Sequence, residues 1–124
     1  MAILRHALPD GSSHHDLLLA PAIDTPDDAR VVPTWRCAGD PLALAPGAAV
    51  VIDRIAPHRG LYLRLRESRE LGGDRGRVTP VHAGWHRWAT GLLWMSRLEG
   101  EAIAFHMDER SLRRAELPVQ VNAS

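Results

Sequence analysis

Apolar and polar residues alternate with a period of two in short runs along this chain, and prolines and glycines end each run within a few residues. In Gly60–Glu67, "GLYLRLRE", strict alternation would turn Leu61, Leu63 and Leu65 to one side and Tyr62, Arg64 and Arg66 to the other. In Glu101–Met107, Ile103, Phe105 and Met107 oppose Ala104 and His106. The strand-like pieces are Ala2–Leu8, His15–Ala20, Val31–Cys37, Ala49–Ile55, Gly60–Glu67, Arg75–Val81, Gly84–Ala89, Leu92–Leu98, Glu101–Met107 and Arg113–Val119. Many short strands with regular turn signals predict an all-β fold, a small antiparallel β-barrel or a sandwich, and closure of a barrel also removes exposed edges. One stretch departs from this: Asp108 or Ser111 is an N-cap candidate, and Leu112–Glu116 predicts one short helix near the C-terminus. Trp35, Trp88 and Trp94 lie in strand-like stretches and are expected in the core. The polar loop Glu67–Arg77, with its paired glycines, reads as a mobile loop or a wide hairpin connection.

At 124 residues the chain is sized for one hydrophobic core, so residues 1–124 are expected to form a single domain. Its net charge is zero, which advertises neither a nucleic acid nor a membrane in bulk. All fifteen basic residues are arginine, the side chain whose planar fork matches phosphate oxygens. A single cysteine, Cys37, excludes an internal disulfide and a cysteine-based zinc site, and it reads as a small core residue. The start of the chain has no basic segment followed by a long apolar stretch, and no apolar run approaches the roughly 20 residues that span a bilayer. A cytoplasmic protein without a membrane partner is expected.

The stretch "GSSHHDLLLAPAI", Gly11–Ile23, sets metal-capable side chains at the mouth of an apolar run. If the first two strands form a hairpin across "PDGSS", His6 lies opposite the segment His14–Asp16, in which His14 and Asp16 share a face and His15 points away. Two imidazoles and a carboxylate suit Mn, Fe, Zn or Ni and leave coordination positions open. Further along, "HRGLY" places His58 on a turn four residues before Tyr62. An imidazole and a phenol near one cleft can each donate a hydrogen bond to an anionic oxygen, and the imidazole can also pass a proton near neutral pH. His82, His86 and His106 fall on later strands or turns, where structural roles are expected.

Taken together, these elements resemble the 3'-phosphoesterase module of bacterial DNA ligase D, over most of residues 1–100. The resemblance is carried by His6, by "HHD" at His14–Asp16, by Thr34 and Trp35, by "HRGLY" at His58–Tyr62, by "GGDRGRV" at Gly72–Val78 and by "GWHRW" at Gly84–Trp88. It implies a barrel-like fold holding one divalent metal, Mn²⁺ or another transition metal such as Zn²⁺, through His6, His14 and Asp16. It also implies that His58 and Tyr62 assist in removing a 3'-terminal ribonucleotide or 3'-phosphate from a DNA end. The implied partners are DNA or RNA–DNA 3' ends and separately encoded ligase or polymerase components. Two positions depart from the family pattern: the residue two after the metal-binding aspartate is Leu18 rather than arginine, and the residue eight before His58 is Val50 rather than basic. Clamping of phosphate then falls to Arg59, Arg64, Arg75 or Arg77. The competing expectation is a non-catalytic module of the same fold that binds nucleic acid or a repair partner.

Overall fold

The computed structural model describes residues 1–97 and 100–116. The last residues of the strands expected to run to Leu98 and Val119 lie outside the described residues. Ten strands form, β1 (Ala2–Ala7), β2 (Ser13–Leu18), β3 (Arg30–Cys37), β4 (Ala49–Arg59), β5 (Arg69–Glu70), β6 (Arg77–Ala83), β7 (His86–Ala89), β8 (Leu92–Ser96), β9 (Ala102–Met107) and β10 (Ser111–Arg114). They make one antiparallel sheet in the order β5-β6-β1-β2-β3-β4-β10-β9-β8-β7. The all-β class expected from the alternation is what the chain adopts. No helix among the described residues is long and apolar enough to cross a membrane.

The ladder stays open at β5 and β7, where a closed barrel was expected. The chain itself links the two sides, because β6, the neighbour of end strand β5, runs through Gly84 and Trp85 directly into β7 at the other end. Gly84 exchanges backbone hydrogen bonds with Met1, whose terminal ammonium donates to the Gly84 carbonyl at 2.6 Å. A Cβ at Gly84 would collide with Ser96 Oγ, so this junction requires glycine. The sheet therefore curls on itself. Ile3, Leu17, Cys37 and Ile52 from β1 to β4 meet Leu93, Met95, Ile103, Phe105 and Leu112 from β8 to β10 in one core. On the opposite face of β1, β2 and β3, Ala2, Leu4, Leu18 and Val32 form a second cluster covered by Tyr62, Leu63 and Leu65. Alternation along β2 thus buries the run after Asp16 on both sides.

Three local expectations are corrected. The helix expected at Leu112–Glu116 is strand β10, with Leu112 paired to Val50 and Met107 and fully buried. Asp108 does accept the backbone N–H groups of Arg110 and Ser111, both at 2.8 Å, but the same carboxylate pattern closes the turn from β9 to β10. The strand expected at Gly60–Glu67 is instead a 3₁₀ turn over Gly60–Leu63. There the N–H groups of Gly60 and Leu61 bond to Ala29 and Asp27 in the preceding loop instead of a neighbouring strand. Trp88, expected in the core with Trp35 and Trp94, is 56% exposed, whereas the other two are half-buried. It pairs with buried Leu93, so its face points as expected; β7 is an edge strand, however, and no further strand among the described residues lies beyond the indole. Cys37 is buried as expected, and burial pushes its thiol pKa up to about 12.

Candidate metal centre and its arginine-lined pocket

The β1–β2 hairpin is closed by the "PDG" turn, where Asp10 Oδ1 accepts from both the backbone and hydroxyl of Ser12 and Gly11 takes a φ of 90°. That turn fixes a register in which His6 faces His14 and Leu4 faces Asp16. Because opposed residues share a face, His6, His14 and Asp16 meet on the side of the sheet that carries the second apolar cluster. One ligand atom from each lies within 4.8 Å of the others. Asp16 is 2% exposed, with Oδ1 3.2 Å from His14 Nε2 and Oδ2 4.0 Å from His6 Nδ1. His58, which belongs to β4 and not to a turn, adds a third imidazole with Nε2 3.7 Å from Asp16 Oδ2.

The protonation pattern follows from the outer hydrogen bonds. A backbone carbonyl can only accept, so the 2.6 Å contact between His6 Nε2 and the Arg75 carbonyl places the hydrogen on Nε2. That leaves His6 Nδ1 as the ring nitrogen facing Asp16. By the same logic the 3.2 Å contact of His58 Nδ1 with the Ala56 carbonyl leaves Nε2 of the neutral ring as an acceptor facing the carboxylate. Burial lowers the pKa of His14 and outweighs the opposing pull of Asp16, which favours the neutral ring. His14 Nε2 and Asp16 Oδ1 are both buried, and neither has a hydrogen-bond partner among the described residues. Acceptors gathered around a buried carboxylate, with ring tautomers set by outer carbonyls, are what a divalent cation requires and what an empty apolar face does not. The donor set fits a metal of the Mn or Zn type through His6, His14 and Asp16.

Beside this cluster a cavity of about 180 Å³ is lined by His6, Asp16, Arg30, His58, Arg59, Tyr62, Leu71, Arg75 and Val78. Two prolines in central strands explain how adjacent residues reach it. Pro33 and Pro57 cannot donate to the ladder, and the β3–β4 pairing shifts register between Arg30 and Val32 and again between Val32 and Thr34. The irregular stretch re-aims the end of β4 so that His58 and Arg59 both line the cavity although consecutive. The 3₁₀ turn then brings Tyr62 edge-on to His58, with ring centroids 5.6 Å apart at 71°. Gly60 makes this turn possible, since a Cβ there would strike the Pro26 carbonyl.

The five residues His6, His14, Asp16, His58 and Tyr62 are thus brought together, and Arg59 and Arg75 join them at the cavity wall. Arg64 and Arg77 do not. Arg64 pairs with Asp27 at 2.7 Å and also donates to the Gly60 and Thr25 carbonyls, stapling the 3₁₀ turn to its loop. Arg77 pairs with Glu70 at 2.6 Å beside a different cavity. Arg75 donates to the Leu71 carbonyl within the glycine loop, whose backbone holds the carbonyl that meets His6. Leu18 is fully buried within the second apolar cluster and Val50 is partly buried against the main core, so neither side chain brings a charge to the site. Arg30 was not anticipated at the site: it follows the polar loop "DTPDDA", and only its pairing with Arg59 across β3 and β4 would have pointed to it.

Compared with protein-family models, with curated proteins and with solved structures, the chain has no match.

Proposed function

We propose that this protein is a divalent-metal-dependent phosphoesterase that removes 3'-terminal ribonucleotides or 3'-phosphates from DNA ends. One arrangement carries the reading: a buried carboxylate ringed by three imidazoles opens onto a cavity walled by Arg30, Arg59 and Arg75. A centre for a cation beside a wall of cations is complementary to a phosphate ester, whose oxygens can be shared between them. The motif order described above supports the same substrate class.

His6, His14 and Asp16 would hold the ion, which when bound supplies Lewis acidity toward a phosphate oxygen and activates water. His58 is oriented by its Nδ1 bond to the Ala56 carbonyl, so Nε2 is the atom that exchanges a proton with the reacting oxygens. Tyr62 stands against the His58 ring and can donate its hydroxyl to a non-bridging oxygen. The leaving 3'-oxygen needs a proton as the bond to phosphorus breaks, and His58 Nε2 can supply it after taking up the proton that the attacking water gives up. Partners on this reading are DNA or RNA–DNA 3' ends, and ligase or polymerase components encoded separately.

The test is processing of a primer-template bearing a 3'-phosphate or a single 3'-ribonucleotide, in Mn²⁺ and in Zn²⁺. His58→Ala and Tyr62→Phe should stay folded and bind Mn²⁺ while losing about 10²–10⁴-fold and at least tenfold in rate, respectively, the first being the usual effect of removing a positioned acid or base. A wild-type protein that binds Mn²⁺ yet processes neither end in any divalent metal would replace this reading with that of a non-catalytic nucleic-acid-binding module.

A further inference from the structure

Arg30 and Arg59 are directly opposed across β3 and β4, and both line the cavity beside His58 and Tyr62. Like charges at opposed positions repel. Among the described residues the ion pairs of arginine are Arg64 with Asp27, Arg77 with Glu70 and Arg97 with Glu101, so neither Arg30 nor Arg59 has a carboxylate within pairing distance. The acid that shares their cavity, Asp16, is turned toward His6, His14 and His58. Arg59 is held further in: its guanidinium lies 5.8 Å from the centre of the Tyr62 ring, a distance Arg69 matches. Its Nε is buried and has no hydrogen-bond partner among the described residues. A buried donor left unpaired is costly, more so for a charged group, and is retained where a ligand satisfies it.

We propose that Arg30 and Arg59 form a two-arginine clamp for a tetrahedral phosphate group, which supplies the anion recognition that the apolar residues Leu18 and Val50 cannot. Two guanidinium forks can each bond an edge of the same phosphate, and the anion removes both their mutual repulsion and the orphaned Nε donor. The clamp rests on the phosphoesterase reading for the identity of the substrate but not for its capacity to bind an anion, which needs no metal.

The experiment is equilibrium binding of a short fluorescent single-stranded DNA ending in either a 3'-phosphate or a 3'-hydroxyl, by the full chain in EDTA, with inorganic phosphate as competitor. Wild type should prefer the 3'-phosphate end. Arg30→Gln and Arg59→Gln should each weaken that end by about ten- to a hundredfold, the size of a charged hydrogen bond, and leave the 3'-hydroxyl DNA unchanged. Arg30→Lys, which keeps the charge and loses the fork, should fall between, and it holds the test open if a glutamine variant fails to fold. Competition by inorganic phosphate would identify the phosphate group alone as the ligand; preference without competition would identify the nucleotide end, and either supports the clamp. Equal binding of both ends by wild type, or folded variants that keep the preference, would overturn it. Mn²⁺ titration and end processing are scored separately, so a clamp that binds in a protein that never hydrolyses leaves this inference standing and the catalytic one fallen.

Discussion

Two regions of this molecule gather histidines around a buried charge, and they differ in whether their polar atoms are satisfied. At the β6–β7 junction the Met1 ammonium donates to Gly84, His82 Nε2 meets the Ser96 carbonyl at 2.9 Å, and the Trp85 N–H reaches Ser96 Oγ at 3.0 Å. The junction even adjoins the larger cavity, about 560 Å³, lined by Met1, Ile23, Trp85 and His86 among others. On the hairpin face, by contrast, three ring nitrogens point at one carboxylate, and two of the buried atoms have no partner among the described residues. The first cluster is satisfied by its own hydrogen bonds; the second leaves donor atoms in an arrangement that could hold a cation. Satisfaction of polar atoms, and not cavity size or histidine count, separates a structural cluster from a site.

The comparison breaks most visibly if metal dependence does not segregate between the regions. At a Mn²⁺ concentration of 100 times the dissociation constant, wild type should gain about 2.7 kcal/mol of stability. Asp16→Ala should show no gain, and Ser96→Ala should show the full wild-type gain; thermal melts with and without Mn²⁺ decide this. A smaller effect concerns the junction alone. Ser96→Ala deprives the Trp85 N–H of its acceptor and should cost about 1 kcal/mol in urea unfolding, equally in Mn²⁺ and in EDTA. A cost that appears only with metal would tie the two regions together.

The smallest effect is in pH. Burial, reinforced by the terminal ammonium, lowers the pKa of His86 from its ordinary value of 6.5. Above that value both folded and unfolded chains carry the neutral ring, so His86 contributes nothing to pH dependence. Below it the unfolded chain takes up the proton more readily, and stability falls as pH falls. His86→Gln should flatten part of that acid-side loss, measured in EDTA because protons also compete with metal at the hairpin. A variant as acid-sensitive as wild type would show that the ring is free to charge in the fold.

The all-β class and the hairpin centre were legible in the sequence, because both rest on short-range rules. Period-two alternation sets which residues share a face, and "PDG" sets the turn that pairs His6 with His14 and leaves Asp16 beside them. Where alternation was read without its neighbours it misled. "GLYLRLRE" became a 3₁₀ turn once Gly60 and Leu61 found partners in the loop before β3, and the acid that caps "DERS" closes a strand turn. The face of Trp88 was right while its burial was not, since burial depends on what lies beyond an edge strand.

By itself, then, the sequence determined the all-β class and, within the eleven residues from His6 to Asp16, the hairpin register and three residues suited to a metal. The rest was decided by tertiary structure. The irregular β3–β4 pairing around Pro33 and Pro57 brings His58 and Arg59 to one cavity and sets Arg30, twenty-nine positions earlier, against Arg59. The same folding commits Arg64 to Asp27 and Arg77 to Glu70, removing two arginines that composition alone made equal candidates. An arginine's role depends on which acid it meets, and strand pairing and loop packing between distant segments decide that meeting.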